Sequence, residues 1–177
     1  MAFDKEYIIK KRHSGRFSVK YHSWISEPSG LGDLTRINGN MNSVQYCNIL
    51  DEQLPIINEG MGGNEFPWLL VQDNVSTHTS VYTRAHLLEN FPDLAYVRIP
   101  PKSPDMNIIE NVWAMLEHRV TRWKLEYGQP QNQQEYFETV DFIWNEMKGS
   151  DIVQTLVESI PGRVQAIIDA EGYWTKY

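Results

Sequence analysis

From Trp68 to Val71 every residue is apolar, and an acid, Asp73, follows two positions later. A run without polar alternation fits a strand at the centre of a sheet covered on both faces. A carboxylate at the end of such a strand stands where open α/β sheets bind ligands. The second informative stretch, Ser103 to Trp113, reads as a turn that launches a helix with Glu110 in its opening turn. The two acids are 37 positions apart (110 − 73). A strand, a helix, another strand and a turn fit in that interval, so both acids could converge on one end of a sheet. Carboxylates delivered in this way can share divalent metal ions, and such ions cut or join phosphodiesters. No third acid stands upstream at the end of an earlier strand to complete the set.

Each acid also has a local alternative. Asp73 can cap the following turn through backbone amides. Glu110 lies three residues after Asn107, the spacing of a capping box. Convergence is what raises the functional reading above either local role. His78 could order a metal site, contact a phosphate or serve as a hydrogen-bonded structural group. Asp105, beside Pro104, reads as a turn residue with a spare-ligand role as the alternative. Lys10, Lys11, Arg12, Arg16 and Lys20 form one basic cluster, suited to a DNA backbone or to a solvated hairpin face.

Composition narrows the field. At 177 residues, with 41% hydrophobic and 12% aromatic residues, the chain is one domain, residues 1–177, able to bury a core. A net charge of −7 disfavours a domain whose main task is gripping a phosphate backbone. It suits an acidic catalytic domain whose grip comes from a separate module. The lone cysteine, Cys47, excludes an internal disulfide and a Cys-rich zinc site, and its helical setting points to buried packing. No apolar run approaches membrane-spanning length and no signal-peptide core is present, so a soluble intracellular protein is expected.

Periodicity orders the elements. Tyr7–Ile9 and Phe17–Ile25 read as strands separated by a turn, and Leu34–Ile37 as a short third strand of an antiparallel meander. Asn42 or Ser43 caps a helix carrying Val44, Tyr46, Cys47, Leu50 and Leu54, with Pro55 near its end. A loop at Gly60–Asn64 leads to the apolar strand. A helix over 80–90, a strand over 94–99 and a long helix over 107–127 follow, the last with Ile109, Val112, Trp113, Leu116 and Val120 on its core stripe. Helices over 135–147 and 151–170 complete the chain. This order predicts an α/β sheet flanked by helices.

At these residues the chain resembles the catalytic domain of Tc/mariner superfamily transposases. Gln72-Asp73-Asn74 with His78-Thr79 is similar to the block holding that family's second acid. Ser103-Pro104-Asp105-Met106-Asn107-Ile108-Ile109-Glu110-Asn111-Val112-Trp113 is similar to the block holding its third. Ser23–Ser26 with Gly30–Gly32, the stretch 42–54, and the tail from Leu156 to Tyr177 extend the likeness over nearly the whole chain. Three departures accompany it. Asp4–Ile9 looks like the stretch just after the first acid, which places that aspartate and the DNA-binding helix-turn-helix outside this chain. Ile108 stands where the family often has proline, a residue favoured at a helix start. The interval between the acids is slightly wide, which a longer loop around Asn90–Asp93 absorbs.

The resemblance implies a ribonuclease H-like mixed sheet flanked by helices, truncated at its first strand. It implies Asp73 and Glu110 as catalytic metal ligands for Mg²⁺ or Mn²⁺, in a site short of one acid. It further implies, for the intact protein, cutting and joining of DNA at transposon ends and target, a nuclear location, a homodimer as an option and no membrane partner. From this chain alone efficient strand cleavage is not expected. A domesticated, non-cleaving interaction or chromatin module is the alternative. A sheet lacking its first strand would also leave an unpaired edge and an apolar face open.

Overall fold

A computed structural model of the chain describes residues 19–27, 29–61, 63, 68–100, 103–171, 173 and 175. The strand expected at Tyr7–Ile9 and the basic residues Lys10, Lys11, Arg12 and Arg16 lie outside the described residues. Of the expected meander the described part forms two short antiparallel pairs, and the strand expected to run through to Ile25 is divided in two. Strand β1 (Lys20–His22) pairs with β4 (Thr35–Ile37), and β2 (Ile25–Ser26) pairs with β3 (Gly30–Leu31).

Helix α1 (Ser43–Gly60) starts at Asn42 through a reciprocal cap. Asn42 Oδ1 accepts from the Gln45 amide at 2.9 Å, and Gln45 Oε1 accepts from the Asn42 amide at 3.1 Å. The helix does not stop near Pro55 but runs through it, giving up one rung of its ladder. Tyr46, Leu50, Leu54 and Ile57, at helical spacing, bury their stripe with Leu87 as one of two cores. Cys47 is buried, as its helical setting suggested.

Strand β5 (Leu69–Gln72) is followed by α2 (Ser76–Thr79) and α3 (Val81–Asn90), and then by β6 (Ala95–Arg98), which lies parallel to β5 with Leu69 opposite Ala95 and Gln72 opposite Arg98. A parallel pair needs such a crossover. The expectation of cover on both faces of β5 is not met. Leu69 and Val71 are 51% and 53% exposed, while Gln72 is buried with its side chain bonded to Tyr46 of α1.

A 3₁₀ turn (Pro104–Met106) introduces α4 (Ile108–Tyr127), whose Val112, Leu116 and Val120 are almost fully buried. Gly128, at φ +97°, ends the helix in a conformation that side-chain-bearing residues avoid. Asn132 caps α5 (Gln133–Lys148), which returns along α4 with Val140, Ile143, Trp144 and Met147 in the shared interface. These residues, Leu31 and Val153 make the second core. The Trp144 indole donates to the Gly32 carbonyl at 2.8 Å and stacks on Trp113, centroids 4.9 Å apart. The single helix expected over 151–170 is two, α6 (Ile152–Glu158) and α7 (Ile160–Asp169). Pro161 in the opening of α7 lacks the amide that would have bonded back across the joint. No helix among the described residues is long and apolar enough to cross a membrane.

Candidate active site

Asp73 and Glu110 line the same cavity, a space of about 450 Å³ between the two cores. Each arrives as its element dictates. Asp73 is the first residue beyond β5, and Glu110 sits in the opening turn of α4. Tyr46, Leu50 and Leu54 of α1 form one wall, Trp113 and the turn 106–110 another, and His22 to Glu27 a third.

The local alternatives resolve differently for the two acids. Asp73 does make the turn contact: its Oδ1 accepts from the Val75 amide at 3.2 Å. The same oxygen lies 2.8 Å from His78 Nδ1, so the turn role and the cavity role coexist. Glu110 does not close a capping box. Asn107 makes no side-chain cap, and the two side chains approach each other instead, Asn107 Nδ2 to Glu110 Oε1 at 3.4 Å. Asn74 is not on the cavity lining, and it donates to the carbonyl of Ile99, which is. Asp105 is a buried turn residue, as its neighbour Pro104 suggested. Lys20, the one described member of the basic cluster, donates to Asn40.

Residues that sequence reasoning passed over complete the wall. The Tyr46 ring lies 4.2 Å from the His78 ring, and its hydroxyl donates to Gln72 Oε1 at 3.2 Å. His22 meets the other side of Tyr46 edge-on at 5.9 Å. Tyr46 reads in sequence as one more apolar position of a helix stripe, and nothing there signals its polar end. Glu27 is a third carboxylate on the wall, hidden in sequence among turn formers. Burial pushes the His78 ring below its ordinary range against the opposing pull of Asp73. Burial, helped by His78, lowers His22 to about 4. Burial and then Asp73 raise the Tyr46 hydroxyl. Both imidazoles are thus neutral at pH 7, and the wall's charge is carried by its acids, a field that favours a cation.

A model of the DDE superfamily endonuclease family matches residues 26–129, which contain both acids. The chain belongs to that family. Among DDE superfamily relatives, the Tcb1 transposase of Caenorhabditis briggsae is 34% identical over 174 residues, covering 94% of this chain and 56% of that protein. The Tc1 transposase of Caenorhabditis elegans is 32% identical over 169 residues with the same coverage. The chain therefore spans 56% of the length of these curated relatives. The Mos1 transposase catalytic domain with Raltegravir and Mg superposes at a TM-score of 0.73 with 14% identity, over 89% of this chain and 77% of that one. The Mos1 paired-end complex with the left transposon end gives 0.73 and 17% identity, over 92% and 46%. The ribonuclease H-like α/β fold and the Tc/mariner kinship of this DDE catalytic domain are thereby shown.

The cavity lining offers few ligands to a divalent ion. Among the described residues no three His, Cys, Asp or Glu side chains form a cluster that could hold one, Glu27 included. Asp73 and Glu110, which line one cavity, match the one or two protein carboxylates that Mg²⁺ takes beside its waters. The fit is that of a partial site.

Proposed function

We propose that this chain contributes Asp73 and Glu110 as two metal ligands of a DNA-cutting and -joining site, working as part of a Tc/mariner-type transposase. The observation that carries the proposal is that acids 37 positions apart (110 − 73) border one cavity in a member of the DDE superfamily endonucleases. Solved Mos1 catalytic domains hold Mg or Mn, and Mos1 complexes contain a transposon end. By likeness we propose Mg²⁺ or Mn²⁺ as the ion and transposon-end DNA as the substrate, in the nucleus. Joining two ends at once requires two sites, so a homodimer belongs to the same proposal.

When bound, the metal would supply Lewis acidity at the scissile phosphate and an activated oxygen nucleophile. The chain's own part is to hold two carboxylates at the sheet rim. His78, with Tyr46 against its ring, lies beside Asp73, whose side chain stays 39% exposed. Nothing in the cavity favours a non-cleaving interaction module over this reading. With only two acids, binding by this polypeptide is expected to be weak and strand cleavage inefficient.

The test is a Mn²⁺ titration of the purified chain by water-proton relaxation. Weak saturable binding that falls several-fold in both Asp73→Asn and Glu110→Gln supports the proposal. Binding indifferent to both substitutions overturns it. Robust nicking of transposon-end DNA that disappears in Asp73→Ala would overturn the partial-site reading alone.

A further inference from the structure

Helix α4 starts without a side-chain cap, and the local side-chain bond to Glu110 is the long one from Asn107 Nδ2 at 3.4 Å. Asn107 stands at its cap with no side-chain bond to the first-turn amides, although such a bond would ordinarily fix the entry of the chain. Glu110 nevertheless has to be held at the cavity. The lock comes from the far end of the sequence. Arg163 of α7 is 4% exposed, and its Nη1 donates to the Asp105 carbonyl at 2.8 Å while its Nε donates to Ser159 Oγ at 2.8 Å. Thr175 Oγ1 donates to the Asp105 carboxylate at 2.5 Å. Asp105 itself is 9% exposed in the 3₁₀ turn.

From Asp105 the connection to the acid is short. The Asn107 amide donates to the Pro104 carbonyl at 2.9 Å, and the Glu110 amide donates to the Asn107 carbonyl at 3.0 Å. Residues 106 to 110 are cavity wall throughout. Burying a guanidinium is expensive unless its donors are used. Here one donor is spent on a main-chain carbonyl, an acceptor that cannot move without moving the turn.

We propose that Arg163 and Thr175 are positioning residues for Glu110, a C-terminal strap that acts through Asp105 on the metal-binding wall. The inference rests on the metal site proposed above. Thr175→Val removes the hydroxyl donor at little change in volume, Thr175→Ser keeps it, and Arg163→Lys keeps the charge but loses the planar fork.

Two measurements test the strap. In the first, Mn²⁺ binding is titrated in Thr175→Val, with and without Glu110→Gln. The expected result is a three- to tenfold weaker affinity in the wild-type background and no further loss on top of Glu110→Gln, with Thr175→Ser like wild type. An equal loss in both backgrounds overturns the proposal, because the effect would then bypass Glu110. The second needs no metal. Amide exchange at Asn107–Asn111 should quicken at least tenfold in Thr175→Val and in Arg163→Lys while the α5 core stays protected. Unchanged exchange at those amides overturns the strap. Should the wild-type chain bind no Mn²⁺, the metal site is refuted and the exchange result alone decides the strap.

Discussion

His78 Nδ1 lies 2.8 Å from Asp73 Oδ1, and the same ring leans against the Tyr46 ring, tilted by 32° with centroids 4.2 Å apart. The imidazole is therefore fixed on two sides, and it holds the carboxylate in turn. His78→Asn keeps a polar group near the Nδ1 position, so it should keep Mn²⁺ affinity within about twofold, whereas His78→Ala removes the close polar neighbour of Asp73 and should weaken affinity several-fold, by about 1 kcal/mol. The relaxation titration checks this. Equal losses in both variants would show that ring bulk, and not the polar group, is what matters.

Acid should loosen the fold through His22. Burial holds this imidazole at about 4, below the ordinary value of 6.5, so between those values the unfolded chain binds the proton more readily. Stability contributed by the neutral ring is complete above pH 6.5 and is lost as the pH falls toward 4. The full effect is on the order of 3 kcal/mol. Urea unfolding at pH 7.5, 5.5 and 4.5 should show the decline, and His22→Gln should flatten it. A decline equally steep in His22→Gln would assign it to other groups.

The α4–α5 core should be most sensitive at Trp144, which is fully buried. Trp144→Ala is expected to cost about 3–5 kcal/mol through the cavity it leaves. Trp144→Phe keeps much of the stacking on Trp113 and gives up the bond to Gly32, at a cost of about 1–2 kcal/mol. The Gly32 carbonyl keeps a second donor, Ser23 Oγ at 3.2 Å, which is why the smaller change should be tolerated. Denaturant midpoints distinguish the two.

Gly32 is required for want of room. A methyl group there would stand 2.2 Å from the Trp24 ring. Trp24 packs against the α1 core and lines the cavity, so Gly32→Ala should cost about 1–3 kcal/mol from overpacking and shift Trp24 fluorescence. A variant as stable as wild type would mean that the indole has another place to go.

Much of this was legible in the sequence, for identifiable reasons. The stripe Val112, Leu116, Val120 and the cap at Asn42 are local patterns that tertiary context did not override. Asp73 and Glu110 were legible because a strand end and a helix start are both written in neighbouring residues. What escaped were partnerships across long separations. No local pattern says that Arg163 reaches Asp105, or that Tyr46 turns its hydroxyl to Gln72. The exposure of Leu69 and Val71 was equally hidden, since an apolar run records what a strand can bury and not which faces its neighbours cover. The break at Ser159 was marked by Pro161, but proline in a helix's opening turn is also a favoured start, so the helix on either side reads as continuous.

The parallel register of β5 and β6 has one more consequence. Both strands run toward the rim that bears Asp73, so the connection from α3 into β6, at Phe91–Leu94, turns at the opposite rim. Residues added or removed there lengthen or shorten the path between the acids while leaving both where they are. The spacing of the two carboxylates along the chain is therefore a poor ruler. It reports the size of a remote bend, and kin with different intervals can share one site geometry.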